Sequence, residues 1–118
     1  MRWPGLVGLA MLVPASPAFT HALLERASPP VGSELAVSPP EIVITFTEGV
    51  EPLFSTIEVH GAGGVTMAAG APRLAAANNR QLSIALTKLP PGTYTVIWHA
   101  TSVDTHKTEG KYQFTIAH

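Results

Sequence analysis

Apolar residues recur at every second position in several short runs of this chain, and proline or glycine interrupts the sequence between those runs. Ile42, Ile44 and Phe46 form one such series. A period of two puts these side chains on one face of a β-strand. The 11 prolines and 10 glycines among 118 residues indicate frequent turns. The pattern therefore predicts a fold built from short strands.

Further runs of the same kind follow along the chain. They include Phe54 to His60, Val65 to Met67, Gln81 to Thr87, Thr93 to Val103 and Lys111 to Ile116. Residues Gly70 to Asn79 are rich in alanine, which predicts a loop or a poor edge strand. With about seven strands and no convincing helix, we expect an all-β fold. The architecture that fits is an antiparallel Greek-key β-sandwich or barrel, immunoglobulin-like or cupredoxin-like.

The composition excludes several kinds of function. The chain has no cysteine, which rules out disulfides, thiolate metal sites and cysteine nucleophiles. Its net charge is −1 and it has no basic run, so we expect no nucleic-acid partner. A hydrophobic fraction of 46% against 13% charged residues predicts one folded domain. No serine triad, phosphate loop or carboxylate pair stands out, so we do not expect an enzyme.

The N-terminal segment resembles a secretory signal peptide. Arg2 provides a positive charge, Leu6 to Val13 are apolar, and small or helix-breaking residues follow. The apolar run is much shorter than the ~20 residues that a membrane span needs. We therefore expect export to the periplasm and no membrane span in the mature chain. Cleavage after Ala18 fits the preference for small residues best, but cleavage after Thr20 or Ala22 also remains open.

Three of the five histidines have ordinary structural explanations. His60 lies at a strand end beside a glycine turn, where an exposed polar residue is expected. His99 falls on the face of its strand opposite Trp98, which is the solvent face of a two-sided sheet. His118 is the last residue of the chain and is expected to fray.

The other two histidines, His21 and His106, suggest a metal site. If processing exposes His21, its α-amino nitrogen and its ring Nδ1 form a chelate for one metal ion. Asp104 and His106 are two positions apart, and an extended segment puts both side chains on one face. Three nitrogens and one carboxylate oxygen favour Cu(II). The alternative for Asp104-Thr105-His106 is a polar turn between two strands.

Several motifs, in order along the chain, resemble the CopC family of copper-resistance proteins. They are His21-Ala22-x-Leu24, Ser28-Pro29-Pro30-x-Gly32, Ile44-x-Phe46-Thr47-Glu48-x-Val50, Pro91-Gly92-x-Tyr94-x-Val96-x-Trp98 and Ser102-x-Asp104-Thr105-His106, with Gly110 and Phe114 after them. The resemblance implies a signal peptide at residues 1–20 and a copper-binding Greek-key barrel at residues 21–118.

The resemblance also implies a function in copper resistance, homeostasis or delivery in the periplasm. In this family an N-terminal histidine and an Asp-x-His pair bind one Cu(II) ion, and they correspond to His21, Asp104 and His106. Glu48 corresponds to an acidic residue associated with the metal site, which we expect to support the ligands. The partner that the family implies is an integral inner-membrane protein of the CopD type.

This chain departs from the family pattern in two places. Some members have a methionine-rich loop that binds Cu(I), whereas the corresponding region here, Glu51 to Gly70, offers only His60 and Met67. We therefore expect Cu(II) binding only. Thr20 stands before His21, where the family usually has alanine. The resemblance nevertheless favours cleavage between Thr20 and His21, because the ligand set needs it.

Two other functions are compatible with parts of the sequence. A histidine-brace copper oxidase or monooxygenase shares an amine and two imidazoles as ligands, and production of hydrogen peroxide or oxidised sugar would reveal it. A metal-free immunoglobulin-like interaction module shares the fold, and calorimetry with Cu(II) would separate it from a copper protein.

Overall fold

The computed structural model describes residues 22–76 and 78–118. Within these ranges the chain forms nine β-strands and two 3₁₀ turns. The strands are β1 (Leu24–Ser28), β2 (Glu34–Leu35), β3 (Glu41–Phe46), β4 (Thr56–His60), β5 (Thr66–Gly70), β6 (Arg73–Ala76), β7 (Asn78–Ala85), β8 (Gly92–Thr101) and β9 (Lys107–Ile116). The 3₁₀ turns are Pro52–Phe54 and Ala62–Gly64.

The strands make two sheets with the orders β1-β3-β7-β6 and β2-β9-β8-β4-β5. All strand pairs are antiparallel except β2 with β9. The chain passes from one sheet to the other five times, between β1 and β2, β2 and β3, β3 and β4, β5 and β6, and β7 and β8. This arrangement confirms the predicted all-β sandwich. The strands beyond the expected seven are β2, only two residues long, and the edge strand β6.

The core lies between the two sheets and follows the predicted alternation. Ile42, Ile44 and Phe46 on β3 are each 0% exposed, and Val96 and Phe114 face them from the other sheet. Burying side chains of this size stabilises the fold by about 1.5–3 kcal/mol each. Between the sheets, the rings of Phe46 and Trp98 meet edge to face, with centroids 5.1 Å apart.

Strand β9 begins at Lys107, four positions before the predicted start at Lys111. Its first inward-facing positions are Thr108 and Gly110, so the apolar alternation is missing there. Gly110 pairs with Trp98, and a Cβ at position 110 would lie 2.6 Å from Trp98 Cζ2. The indole therefore fills the space that an apolar side chain on β9 would otherwise occupy.

Other strand limits also differ from the prediction. Strand β4 begins at Thr56, because the residues Pro52–Phe54 form a 3₁₀ turn before it. Strand β7 begins at Asn78, earlier than the predicted Gln81. Strand β6 lies at the edge of its sheet, as expected for the alanine-rich segment. In the part of the chain described here, no helix has the length and apolar character to cross a bilayer.

Candidate metal centre

Asp104 and His106 lie in the turn that joins β8 to β9. The amide of Ser102 donates to the carbonyl of His106 at 2.8 Å, and the amide of Thr105 donates to the carbonyl of Ser102 at 2.8 Å. Thr105 has a φ of 72°, in the left-handed region. The segment is thus a polar turn. It is not the extended segment that would put the side chains of Asp104 and His106 on one face.

The two side chains nevertheless meet, because the turn folds one towards the other. Asp104 Oδ1 lies 3.2 Å from His106 Nδ1, and both side chains are about half exposed, at 44% and 49%. A carboxylate and an imidazole at one accessible point are a suitable pair of donors for Cu(II) or for another borderline metal ion.

Ser102 is hydrogen-bonded to both residues of this pair. Its side chain is fully buried, and its hydroxyl donates a hydrogen bond to Asp104 Oδ1 and accepts one from the amide of His106 at 3.2 Å. The hydrogen bond from Ser102, with a second from His106, holds the pKa of the Asp104 carboxyl below its usual range. The carboxylate is therefore ionised, as a metal ligand must be, well below neutral pH.

The start of the described chain is fixed beside the same turn. Ala22 is 0% exposed, and its carbonyl accepts a hydrogen bond of 2.6 Å from Thr108 Oγ1, two residues after His106. The amide of Leu23 donates to Thr47 Oγ1 at 3.0 Å, and the amide of Thr47 donates to the carbonyl of Leu23 at 2.9 Å. His21 itself lies outside the described residues.

Glu48 is half-buried in the segment that runs between these two parts of the site. Thr47 holds Leu23 on one side, and on the other the carbonyl of Gly49 accepts a hydrogen bond of 3.0 Å from the amide of Val103. Glu48 therefore lies between the anchor of the N-terminal segment and the anchor of the Asp104 turn.

Of the remaining histidines, His60 and His99 each have a glutamate partner. His60 Nε2 is 2.8 Å from Glu58 Oε1, and His99 Nε2 is 3.1 Å from Glu109 Oε1. The His99 side chain is 54% exposed, as expected for the outer face of the sheet. His60 is half-buried, not exposed as predicted, because it folds back onto Glu58. His118 is exposed at the end of the chain.

The described ranges, 22–76 and 78–118, hold no group of three or more histidine, cysteine, aspartate or glutamate residues placed to bind a metal ion. Asp104 and His106 form a two-residue pair. A complete site at this turn needs a further donor, and the segment held by Thr108 lies next to it. Sequence reasoning assigned no role to Ser102 or Thr108. The position of Ser102, two residues before Asp104, was the available signal for its role. No sequence signal marked Thr108.

A family model described as the CopC domain matches residues 24–117. The chain belongs to the CopC family. CopC from Methylosinus trichosporium OB3b is 34% identical, with a TM-score of 0.79 over 82% of this chain and 94% of that one. PcoC from Escherichia coli, described as a methionine-rich copper resistance protein, is 30% identical. Its TM-score is 0.71, and the match covers 81% of this chain and 98% of that one.

A third relative is longer. The copper transport protein CutJ of Bacillus subtilis is 30% identical over 98% of this chain, a match that covers 21% of CutJ. CopC-family proteins are copper-binding proteins of copper resistance and transport and not enzymes, which gives this chain its general function. The expectations for copper binding and for the sandwich fold are thus confirmed at the level of the family.

Proposed function

We propose that the protein binds one Cu(II) ion through His21, Asp104 and His106 after export and removal of residues 1–20. The observation that carries this proposal is the hydrogen bond from Thr108 to the carbonyl of buried Ala22. Consecutive Cα atoms are about 3.8 Å apart, and two residues of strand span about 7 Å. A residue joined to Ala22 is therefore within reach of a metal ion bound at the His106 turn.

The donor set accounts for the choice of metal. The α-amino nitrogen and the Nδ1 of His21 supply two donors, His106 supplies an imidazole nitrogen, and Asp104 supplies a carboxylate oxygen. Three nitrogens and one oxygen suit the tetragonal geometry of Cu(II), which also heads the affinity order of the divalent first-row metals. Glu48, lying between the two anchors, would support the ligands by orienting one of them or by holding a water molecule.

We expect Cu(II) and not Cu(I) because soft donors are scarce. Met67 is the only methionine after residue 20. The Met67 side chain is packed against the backbone of Gly61, since a Cβ added to Gly61 would lie 3.3 Å from Met67 Cγ. His60, the nearest imidazole along the sequence, is bonded to Glu58. Cu(I) prefers several thioether or thiolate ligands. After residue 20 this chain offers only the thioether of Met67, which is already packed.

The proposal depends on where the leader is removed. The intact mass of the protein recovered from the periplasm of a bacterial host tests this directly. A mass that begins at His21 supports the amine–imidazole chelate. A mass that begins at Phe19 or Leu23 removes this chelate and contradicts the proposed ligand set, although export itself would still be established.

Copper binding is tested by titrating the mature protein with Cu(II) in competition with a chelator of known affinity. We expect one equivalent to bind and His106→Ala to weaken binding strongly. His99→Ala is the matched control, because His99 is also an exposed histidine next to a carboxylate but lies on the outer face of the sheet. Equal affinity of the His106→Ala and His99→Ala variants would contradict the proposal.

We further propose that the protein delivers copper to an integral inner-membrane protein of the CopD type. The match to one fifth of CutJ supports this, since a similar domain is there part of a longer copper transport protein. A pull-down of membrane proteins with the copper-loaded chain, compared with the His106→Ala variant, tests the partner. Recovery of no copper-transporting membrane protein by either form would contradict the delivery model.

A further inference from the structure

We infer that Ser102 is a positioning residue for the copper site: its buried hydroxyl sets the mutual orientation of Asp104 and His106 before a metal ion arrives. This inference rests on the proposed function, because it concerns the same ligands. Ser102 itself is not proposed to contact the metal ion.

The hydroxyl is attached to a fixed part of the backbone. Ser102 is 0% exposed and forms a β-bridge with Val50, which is itself buried in the core. Its amide donates to the carbonyl of His106, and its carbonyl accepts from the amide of Thr105, each at 2.8 Å. The serine side chain therefore has little freedom. The groups that it hydrogen-bonds are fixed in position relative to the two sheets.

The same oxygen atom reaches both ligand residues. The hydroxyl proton is donated to Asp104 Oδ1, while the oxygen accepts from the amide of His106 at 3.2 Å. One buried hydroxyl thus controls the side chain of one ligand and the backbone of the other. Removal of the hydroxyl takes this one partner from both the Asp104 carboxylate and the His106 amide.

The carboxylate oxygen that Ser102 holds is also the one that meets the imidazole. Asp104 Oδ1 lies 3.2 Å from His106 Nδ1, so the hydroxyl and the ring converge on one atom. This convergence selects one rotation of the carboxylate and one orientation of the ring. A pair of ligands ordered in advance loses less conformational entropy on binding than a mobile pair.

Ser55 provides a matched control, because its hydroxyl is bonded to Thr101, the residue before Ser102. It is also buried, at 2% exposure, and its hydroxyl donates to the carbonyl of Glu51 at 2.7 Å and accepts from the amide of Thr101 at 3.1 Å. Both serine hydroxyls therefore donate one hydrogen bond and accept another. Only Ser102 makes these bonds to the ligand residues.

The experiment compares Ser102→Ala and Ser55→Ala in the mature protein. We expect Ser102→Ala to weaken Cu(II) binding by about tenfold or more, the range found when groups that orient metal ligands are removed. Its Cu(II) electron paramagnetic resonance spectrum should also broaden or shift. Ser55→Ala should leave both properties unchanged, even though it lowers the melting temperature of the metal-free protein as Ser102→Ala does.

Unchanged affinity and an unchanged spectrum in Ser102→Ala would overturn the inference. If the unaltered mature protein bound no Cu(II), the proposed function itself would fail, which is a different result. A measurement on the unaltered metal-free protein covers the case in which Ser102→Ala does not fold. The Ser102 hydroxyl proton should exchange slowly enough with water to be observed by NMR, and rapid exchange would contradict the inference.

Discussion

The hydroxyl of Thr108 donates a 2.6 Å hydrogen bond to the carbonyl of Ala22, across 86 positions of sequence. The bond joins the first described residue to the strand that leaves the His106 turn. Ala22 is fully buried, so its carbonyl depends on a partner within the protein. Thr108 therefore determines where the N-terminal segment lies with respect to Asp104 and His106.

The variant Thr108→Val tests this anchor, because valine keeps the shape of threonine without its hydroxyl. We expect a loss of about 1–3 kcal/mol in the free energy of unfolding, since a buried carbonyl loses its donor. Cu(II) affinity should also fall, because His21 would be held less firmly. Thr115→Val is the control: its hydroxyl meets that of Thr93, at 3.1 Å, on the exposed surface of β8 and β9. Equal copper affinities for the two variants would argue against the anchor.

Thr105 adopts a φ of 72°, which is unfavourable for a β-branched side chain. Asparagine tolerates this region better, so we expect Thr105→Asn to raise the free energy of unfolding by about 1 kcal/mol. Thr105→Ala should raise the free energy of unfolding by less, because alanine tolerates this region less well than asparagine. Chemical denaturation of the metal-free proteins measures the difference. A stability order with alanine above asparagine would be inconsistent with the turn described here.

Gly110 leaves room for the indole of Trp98. A Cβ at position 110 would lie 2.6 Å from Trp98 Cζ2 and 2.9 Å from Cε2, and Trp98 is confined by its contact with Phe46. We therefore expect Gly110→Ala to destabilise the protein by about 1–3 kcal/mol through overpacking. Its tryptophan fluorescence should shift as well. Lys111→Ala, on the exposed face of the same strand, serves as the control and should change neither property.

The hydrogen bond from Ser102, followed by the contact with His106, lowers the pKa of Asp104 in the folded protein. A carboxyl whose pKa is lower in the folded than in the unfolded chain stabilises the fold above its unfolded pKa. This stabilisation disappears as the pH falls through the folded value. NMR titration of the metal-free protein should give an Asp104 pKa below that of an ordinary aspartate, and Ser102→Ala should raise it. The same low pKa in both proteins would contradict the assigned cause.

The strands were predictable wherever one face of the strand is buried among apolar side chains. Ile57 and Val59 on β4, and Tyr112 and Phe114 on β9, are buried as their spacing indicated. The start of β9 was not predictable, because its inward positions are a threonine that bonds the N-terminal segment and a glycine covered by an indole. Neither residue has the hydrophobicity on which a period-two pattern depends.

The contact between Asp104 and His106 was predictable from their spacing, but its geometry was not. The Asp104–His106 contact was expected from an extended segment, whereas a left-handed Thr105 and a buried Ser102 produce it in a turn. Backbone conformation at one residue leaves little trace in a single sequence. The contact of Ala22 with Thr108 joins positions too distant for any local pattern to reveal. The metal-binding roles of His21, Asp104 and His106, and the supporting role of Glu48, remain predictions.

The most direct test of the copper site compares the Cu(II) affinity of the protein that begins at His21 with that of the same protein carrying one extra alanine before it. The addition keeps the imidazole but moves the α-amine away from the chelate. The proposed site predicts a loss of about a hundredfold or more, equivalent to about 2.8 kcal/mol. Equal affinity of the two proteins would contradict a copper site built on the amine of His21.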